Sequence, residues 1–212
     1  MASEAISSGP VSVGSPSHRP VLAVIAVVLG AFIHSLDTRL LSIGLPDLRG
    51  AFGLTLDEGS WLSTAATAPQ ILIAPAIAWL ATVDGLRRVL VGPSLLYIAI
   101  SLVIPFVRDY PSLLVLHIVH SLLPGVFIPV TIMIVLRNLP MRWWIVGLAA
   151  YSFRLSFTSN AGVWMVGYYV QNLGWEWLYW QNAVVALMMM ILTLLGTPRE
   201  TINHQLLAKA DW

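Results

Sequence analysis

The sequence predicts an all-α integral membrane protein, built as a bundle of six transmembrane helices. Hydrophobic residues make up 58% of the chain and charged residues only 10%, whereas an ordinary soluble domain has about 25% charged residues. The apolar residues form continuous runs, as in membrane helices, and do not alternate as in the strands of a membrane barrel. Nine Trp residues are also typical of a membrane protein, because Trp is enriched where the bilayer meets water.

Six apolar runs approach the length of about 20 residues that a helix needs to cross a bilayer. They define a transmembrane domain over residues 21–196, between a disordered cytoplasmic tail over 1–20 and a polar cytoplasmic tail over 197–212. Ser, Gly and Pro dominate the first tail, which favours disorder. The predicted spans are residues 21–43, 61–83, 89–107, 112–136, 143–170 and 178–196.

The basic residues of the loops predict the orientation, because Lys and Arg accumulate on the cytoplasmic side of membrane proteins. Six spans place both termini on the same side. With both termini in the cytoplasm, the external side holds Arg39, Arg49 and Arg108. The cytoplasmic side then holds the larger set, which consists of Arg19, Arg87, Arg88, Arg137, Arg142, Arg199 and Lys209.

Composition excludes several classes of function. The chain has no cysteine, so it has no disulfide framework, thiolate nucleophile or Cys-ligated metal. A net charge of +1 does not suit a nucleic-acid-binding protein that relies on a basic face. No spaced pair of nucleophile and base indicates an enzyme, and no cofactor is predicted.

Two ionisable residues of the first span, His34 and Asp37, are three positions apart and so lie on one side of the helix. An ionisable group at membrane depth costs at least about 2.5 kcal/mol on insertion scales, so such residues are candidates for function. A carboxylate beside a histidine can hold or relay a proton. The alternative is that Asp37 reaches interfacial water and pairs with Arg39.

In the fourth span, His117 and His120 have the same spacing. Three interpretations stay open, namely a metal site, proton handling in a wet cavity, and hydrogen bonds to neighbouring helices. Zinc needs three or four ligands, and no carboxylate follows at a matching spacing, so no metal is predicted.

The fifth span carries Arg154 near its middle. Arg stays protonated in proteins, so Arg154 needs an anionic partner or an aqueous cavity. Small and hydroxyl residues follow it, among them Gly162 and Gly167. Such residues allow helices to approach closely, and we interpret the two glycines as helix-packing positions.

Five motifs in order resemble drug:proton antiporters of the EmrB/QacA-like, fourteen-helix branch of the major facilitator superfamily. Residues 36–46, L-D-T-R-L-L-S-I-G-L-P, resemble the L-D-x-T-[IV]-V-N-x-A-L-P signature, and Trp61 matches a tryptophan that opens helix two. Residues 78–88 are similar to the loop motif G-x-L-A-D-R-x-G-R-R, and residues 175–182 to W-R-W-I-F-x-x-N. Residues 117–129 have the length and proline of the helix-four motif R-x-x-Q-G…P.

Several positions depart from these motifs. Thr82 stands where the loop motif has its Asp, while His117 and His120 replace the Arg and Gln of the helix-four motif. Of the helix-five motif G-P-x-x-G-G, two positions remain, Gly162 and Gly167. The loop positions that the resemblance implies for gating are Asp84, Gly85, Arg87 and Arg88.

The resemblance implies proton-linked export of small organic molecules across the bacterial inner membrane. Asp37 would bind a proton or a cationic substrate, with His34 tuning it. His117 would replace the coupling Arg, His120 belongs with it to the proton- or substrate-coupling residues, and Arg154 would balance charge in the central cavity.

Superfamily transporters bind substrate between two six-helix halves. We therefore expect a homodimer or a separate half-transporter as partner. The alternative is a truncated or degenerate half-transporter that assembles with or regulates another membrane protein without transporting.

Overall fold

The computed structural model describes residues 19–197, and within them it is a bundle of seven α-helices with no strands. The all-α prediction is confirmed. The two predicted tails, residues 1–20 and 197–212, lie outside the described part except at residues 19, 20 and 197. The helices are α1 (Pro20–Phe52), α2 (Leu56–Val83), α3 (Leu86–Val103), α4 (Tyr110–Asn138), α5 (Met141–Phe157), α6 (Val163–Asn172) and α7 (Glu176–Gly196).

Among the described residues, five segments are long and apolar enough to cross a membrane, and each overlaps a predicted span. The predicted fifth span, residues 143–170, is helical but divided into α5, a π-helical segment (Thr158–Gly162) and α6. The segment's Thr, Ser, Asn and Gly residues have low helix propensity, which favours an irregular turn. The five segments are Val21–Arg39, Leu56–Val83, Leu86–Phe106, Tyr110–Leu136 and Glu176–Gly196.

The first two helices differ from the prediction where they meet. Helix α1 runs past residue 43 and through Pro46 before Gly53 ends it with a φ of 62°, a backbone conformation that glycine adopts without strain. Helix α2 begins before Trp61, because Thr55 and Glu58 form a capping box. The Thr55 amide donates to Glu58 Oε2 at 2.8 Å, and the Glu58 amide donates to Thr55 Oγ1 at 3.3 Å, which satisfies two amides that a helix start leaves unpaired.

Helix α1 is the centre of the bundle. It packs against α4 and α7, while α3 packs against the same two helices and α2 packs against α4. Gly30 permits a close approach, since a Cβ there would lie 2.8 Å from Thr131 Cγ2 on α4 and 2.9 Å from Met189 Sδ on α7. Helices α5 and α6 contact the other side of α1. The polar residues of α1 therefore face two different sets of neighbours.

Helix α4 continues through both of its internal prolines, Pro124 and Pro129. Between them, Gly125 lies against the backbone of α2, where an added Cβ would be 2.7 Å from Gln70 Cα and 2.9 Å from its carbonyl oxygen. The absence of a side chain at Gly125 brings the two helices into contact.

Candidate functional site

A buried polar cluster lies where α1, α3, α4 and α7 meet. Its centre is Asp37 on α1, which is only 7% exposed. Asp37 Oδ1 accepts hydrogen bonds from the Tyr97 hydroxyl of α3 at 2.9 Å and from the Asn182 amide of α7 at 2.8 Å. A buried carboxylate needs such donors, because its transfer out of water costs far more without them. We call Asp37, Tyr97, His117, His120, Tyr179 and Asn182 the Asp37 cluster.

His120 of α4 lies beside the second oxygen of Asp37. Its Nδ1 atom is 3.9 Å from Asp37 Oδ2, too far for a hydrogen bond, and within residues 19–197 neither atom has another partner. On the other side of the ring, His120 Nε2 is hydrogen-bonded to Ser101 Oγ at 2.8 Å. The ring also stacks on Tyr97, with centroids 4.3 Å apart. These two contacts hold His120 in place and leave one nitrogen open toward the carboxylate.

His117 occupies the next turn of α4 and extends the cluster. Its Nδ1 lies 3.4 Å from the Tyr179 hydroxyl of α7, and its Nε2 lies 3.3 Å from Ser121 Oγ. The rings of His117 and His120 are nearly parallel, with centroids 6.3 Å apart. Because His117 is only 2% exposed, it contacts helices and not a wet cavity in this arrangement. In the described part of the chain, no group of three or more His, Asp or Glu side chains could hold a metal.

A separate cavity of about 350 Å³ lies between α1 and the α5–π region. We call it the Arg154 cavity. Arg154 is only 6% exposed, and its Nη1 donates to the Ala31 carbonyl at 2.7 Å and to Ser35 Oγ at 2.6 Å. Its Nη2 donates to the Tyr151 hydroxyl at 3.0 Å. The cavity is lined by His34, Ser35, Thr38, Arg39, Ser42, Arg154 and Thr158.

The structure places His34 and Asp37 in different surroundings. Residues three apart are offset by about 60° around a helix, and α1 is packed on both sides. Asp37 therefore faces α3, α4 and α7, whereas His34 lines the Arg154 cavity. Among the described residues, no hydrogen bond joins the two. The predicted tuning of Asp37 by His34 stays a prediction, and the alternative pairing with Arg39 does not fit the buried contacts of Asp37.

The predicted gating residues come together at the turn between α2 and α3. Asp84, Gly85, Arg87 and Arg88 line an open cavity of about 520 Å³. Gly85 has a φ of 87°, which only glycine adopts readily and which sets the sharp turn between the helices.

The two glycines predicted as packing positions differ. A Cβ on Gly162 would lie 3.2 Å from Thr158 Cγ2 and 3.7 Å from Leu36 Cδ2, so this glycine packs close to α1. A Cβ on Gly167 would meet nothing within 4 Å, because its face of α6 is open. Gly167 therefore has no packing role within the described residues.

Sequence reasoning missed four members of the site. Tyr97, Ser101 and Tyr179 are common types in a membrane helix, and no spacing pattern distinguishes them. Asn182 could have been identified from the sequence, since it ends the motif-like residues 175–182 and is a polar amide within an apolar run. Their role emerges only from the packing of α3, α4 and α7 around α1.

Comparison with known proteins identifies the family of the chain. The sequence pattern of the Major Facilitator Superfamily matches residues 27–210. The chain is 25% identical over 170 residues to the probable multidrug resistance protein EmrY of Escherichia coli, covering 80% of this chain and 33% of EmrY. It is 22% identical over 187 residues to the multidrug export protein EmrB of Haemophilus influenzae, covering 87% of this chain and 37% of EmrB.

A third relative is the fatty acid resistance protein FarB of Neisseria gonorrhoeae, at 21% identity over 174 residues. The chain spans about a third of the length of these relatives. Its motifs, its all-α membrane fold and the match over most of its length lead to one conclusion: the chain belongs to the Major Facilitator Superfamily and resembles the EmrB-like branch.

Proposed function

We propose that this chain takes part in proton-linked efflux of small organic molecules across the bacterial inner membrane, with both termini in the cytoplasm. Asp37 is the residue that takes up and releases the proton. The relatives named for multidrug export and fatty acid resistance support the efflux assignment, and the buried carboxylate of Asp37 supports the proton coupling.

The observation that carries this proposal is the unequal environment of the two Asp37 oxygens. Oδ1 accepts two hydrogen bonds, from Tyr97 and Asn182, which stabilise the ionised carboxylate. Oδ2 has no partner within the described chain, so it is the oxygen free to receive a proton. A carboxylate held in this way can change charge without losing the contacts that position it.

The two histidines of α4 provide a route by which a proton reaches or leaves Asp37. His120 Nδ1 faces Oδ2 at 3.9 Å, so a shift of about 1 Å would form a hydrogen bond. His117, one turn away, extends the route toward Tyr179 and Ser121. Imidazole can bind a proton on one nitrogen while the other stays hydrogen-bonded, which suits both residues to a relay.

We propose that the transporting unit contains further helices beyond those described, from a second copy of this chain or from a separate half-transporter. Superfamily transporters bind substrate at the interface between two repeats that rock against each other. Arg154 lines a cavity that is open in the described chain, and a second half would cover this cavity. Arg154 then balances charge at the interface.

One observation favours a second candidate, a non-transporting assembly or regulatory partner. Thr82, at the position of the loop Asp, donates its hydroxyl to the Trp79 carbonyl of its own helix at 2.6 Å. It carries no charge with which to form the ion pairs of a gate. Asp84, in the same open cavity as Arg87 and Arg88, is the acid left to replace it.

Both candidates are tested by efflux measured in proteoliposomes with an imposed proton gradient. The wild-type chain, with any partner that co-purifies with it, should export a fluorescent drug-like substrate and carry protons in the opposite direction. Asp37→Asn should abolish both fluxes, because Asn keeps the shape and the acceptor oxygen but cannot ionise.

The matched control is Asp57→Asn, since Asp57 lies exposed in the first turn of α2, away from the cluster. It should transport like the wild type. Efflux by Asp37→Asn with unchanged proton flux would remove Asp37 from the mechanism. The absence of any efflux by wild-type protein together with its partner would favour the non-transporting candidate.

A further inference from the structure

The Arg154 cavity contains buried hydrogen-bonding atoms that the protein itself does not satisfy. In the described chain, Arg154 Nε, His34 Nδ1 and Thr158 Oγ1 are buried and have no hydrogen-bond partner. All three residues line the same cavity. An unsatisfied buried polar group costs about 1–3 kcal/mol, so three around one cavity indicate a place where a polar ligand binds.

Arg154 is the strongest hydrogen-bond donor among these three residues, and only some of its N–H groups are hydrogen-bonded within the protein. A guanidinium has five N–H donors, of which the bonds to Ala31, Ser35 and Tyr151 use three. The Nε–H and one Nη2–H remain. Two adjacent N–H groups of this kind form the planar fork that binds both oxygens of a carboxylate.

The charges of the residues that line the cavity determine whether it favours an anionic or a cationic ligand. The cavity contains Arg154, Arg39, His34 and hydroxyl groups, and no Asp or Glu is among its lining residues. The nearest carboxylate along the chain, that of Asp37, is bound on the other side of α1 by Tyr97 and Asn182. The cavity therefore favours an anion.

We propose that the Arg154 cavity is a binding site for a small organic carboxylate. The carboxylate lies against the Nε–Nη2 edge of Arg154 and accepts a hydrogen bond from Thr158 Oγ1. His34 lines the same cavity beside the ligand. The claim that the exported substrate is a carboxylate rests on the proposed function. The binding of a carboxylate to this cavity does not require transport.

The surroundings select an organic anion over an inorganic one. Phe157, next to Thr158 in the chain, packs on Phe32 of α1 with ring centroids 5.8 Å apart, and Phe153 continues the aromatic surface. Phe157 and Phe153 are 47% and 66% exposed. Helices α1 and α5, which carry lining residues of the cavity, thus also carry an apolar surface that can contact the hydrocarbon part of a ligand. Its volume of about 350 Å³ falls within the range of about 300–1,000 Å³ for small-molecule sites.

The test is equilibrium binding of benzoate to the purified full chain in nanodiscs of zwitterionic lipid, measured by calorimetry. Benzamide, which has the same shape without the charge, is the matched ligand. Benzoate should bind at least about tenfold more tightly than benzamide, since the fork of Arg154 needs an anion to form charge-assisted bonds. Inorganic phosphate should not displace benzoate at equal concentration.

Two substitutions distinguish the loss of a ligand contact from the loss of the folded structure. Arg154→Met should weaken benzoate binding by at least about tenfold. Because Arg154 also joins α5 to α1, Thr158→Val provides a second variant of nearly unchanged shape, with about three- to tenfold weaker binding expected. The control is Thr131→Val, which alters an equally buried threonine of α4 whose hydroxyl bonds the Ile128 carbonyl, and it should leave binding unchanged.

Three results would overturn the proposal. These are equal affinity for benzoate and benzamide, displacement of benzoate by equimolar phosphate, and unchanged benzoate binding in folded Thr158→Val and Arg154→Met proteins. Because the assay involves no transport, a chain that binds benzoate but shows no efflux would contradict the proposed function and leave this site standing.

Discussion

Asp37 Oδ2 and His120 Nδ1 face each other at 3.9 Å in the centre of the bundle, each without a hydrogen-bond partner in the part of the chain described. Every other contact of the two side chains holds them in place. Tyr97 and Asn182 bind the far oxygen of Asp37, and Ser101 binds the far nitrogen of His120. These two atoms are therefore positioned to exchange a proton.

Removing one donor tests how the carboxylate is held. Tyr97→Phe keeps the ring that stacks on His120 but deletes the hydroxyl that donates to Asp37 Oδ1. A hydrogen bond to a charged group contributes about 1.5–3 kcal/mol, so we expect a lower thermal unfolding midpoint in mild detergent. Tyr168→Phe, at a half-exposed position of α6, should leave the midpoint unchanged. Equal midpoints for all three proteins would mean that the bond adds no stability.

The burial of His117 predicts how the protein would tolerate Arg at this position, which is the residue of the helix-four motif. His117→Arg restores the motif's Arg, but it places a permanent guanidinium charge where the wild-type side chain is 2% exposed. The cost is at least about 2.5 kcal/mol without an anionic partner, so the amount of folded protein in the membrane should fall. His117→Gln, which is neutral and can still hydrogen-bond, should accumulate normally. Normal accumulation of His117→Arg would show that water or an anion reaches this position.

Close helix contact at Gly125 can be tested with a single methyl group. Gly125→Ala would place its Cβ 2.7 Å from Gln70 Cα, so α2 and α4 must move apart and the unfolding midpoint should fall. Gly167→Ala is the matched control, because its Cβ meets nothing within 4 Å and Ala is favoured over Gly in a helix by about 1 kcal/mol. It should be neutral or slightly stabilising. A midpoint of Gly125→Ala at or above that of Gly167→Ala would contradict the packing of these two helices.

The orientation is tested by reporter fusions. The Tyr110 hydroxyl donates to the Glu58 carbonyl at 3.2 Å, so the start of α2 and the start of α4 lie at one end of the bundle. Fusions after Arg88, Arg142 and Trp212 should report the cytoplasm, and fusions near Glu58, Arg108 and Gly174 the outside. A cytoplasmic signal at Glu58 together with an external signal at Arg88 would reverse the orientation.

The fold was predictable because hydrophobic length alone identifies membrane helices. Helix ends were less predictable, since they depend on local bonding. The capping box of Thr55 and Glu58 starts α2 before Trp61, and α1 continues through Pro46 because one missing amide does not end a helix that its neighbours support. The division of the fifth span at Thr158–Gly162 depends on side chains that compete for backbone hydrogen bonds.

The candidate site was predictable only in part. Asp37, His117 and His120 could be recognised as polar residues in apolar spans, and the structure brings them together. Their partners Tyr97 and Tyr179 could not, because only the packing of three helices selects them from many aromatic residues. The separation of His34 from Asp37 shows the limit of spacing rules, since residues on one side of a helix still meet different neighbours.

The most direct test of the central claim, that Asp37 exchanges the proton, is infrared difference spectroscopy of the protein in lipid during a pH change. Acidification of the wild type should produce a carboxylic acid C=O band from a buried group, and added substrate should shift the pH at which it forms. Asp57→Asn should retain this band and Asp37→Asn should lose it. The same band with the same pH dependence in Asp37→Asn would contradict the claim.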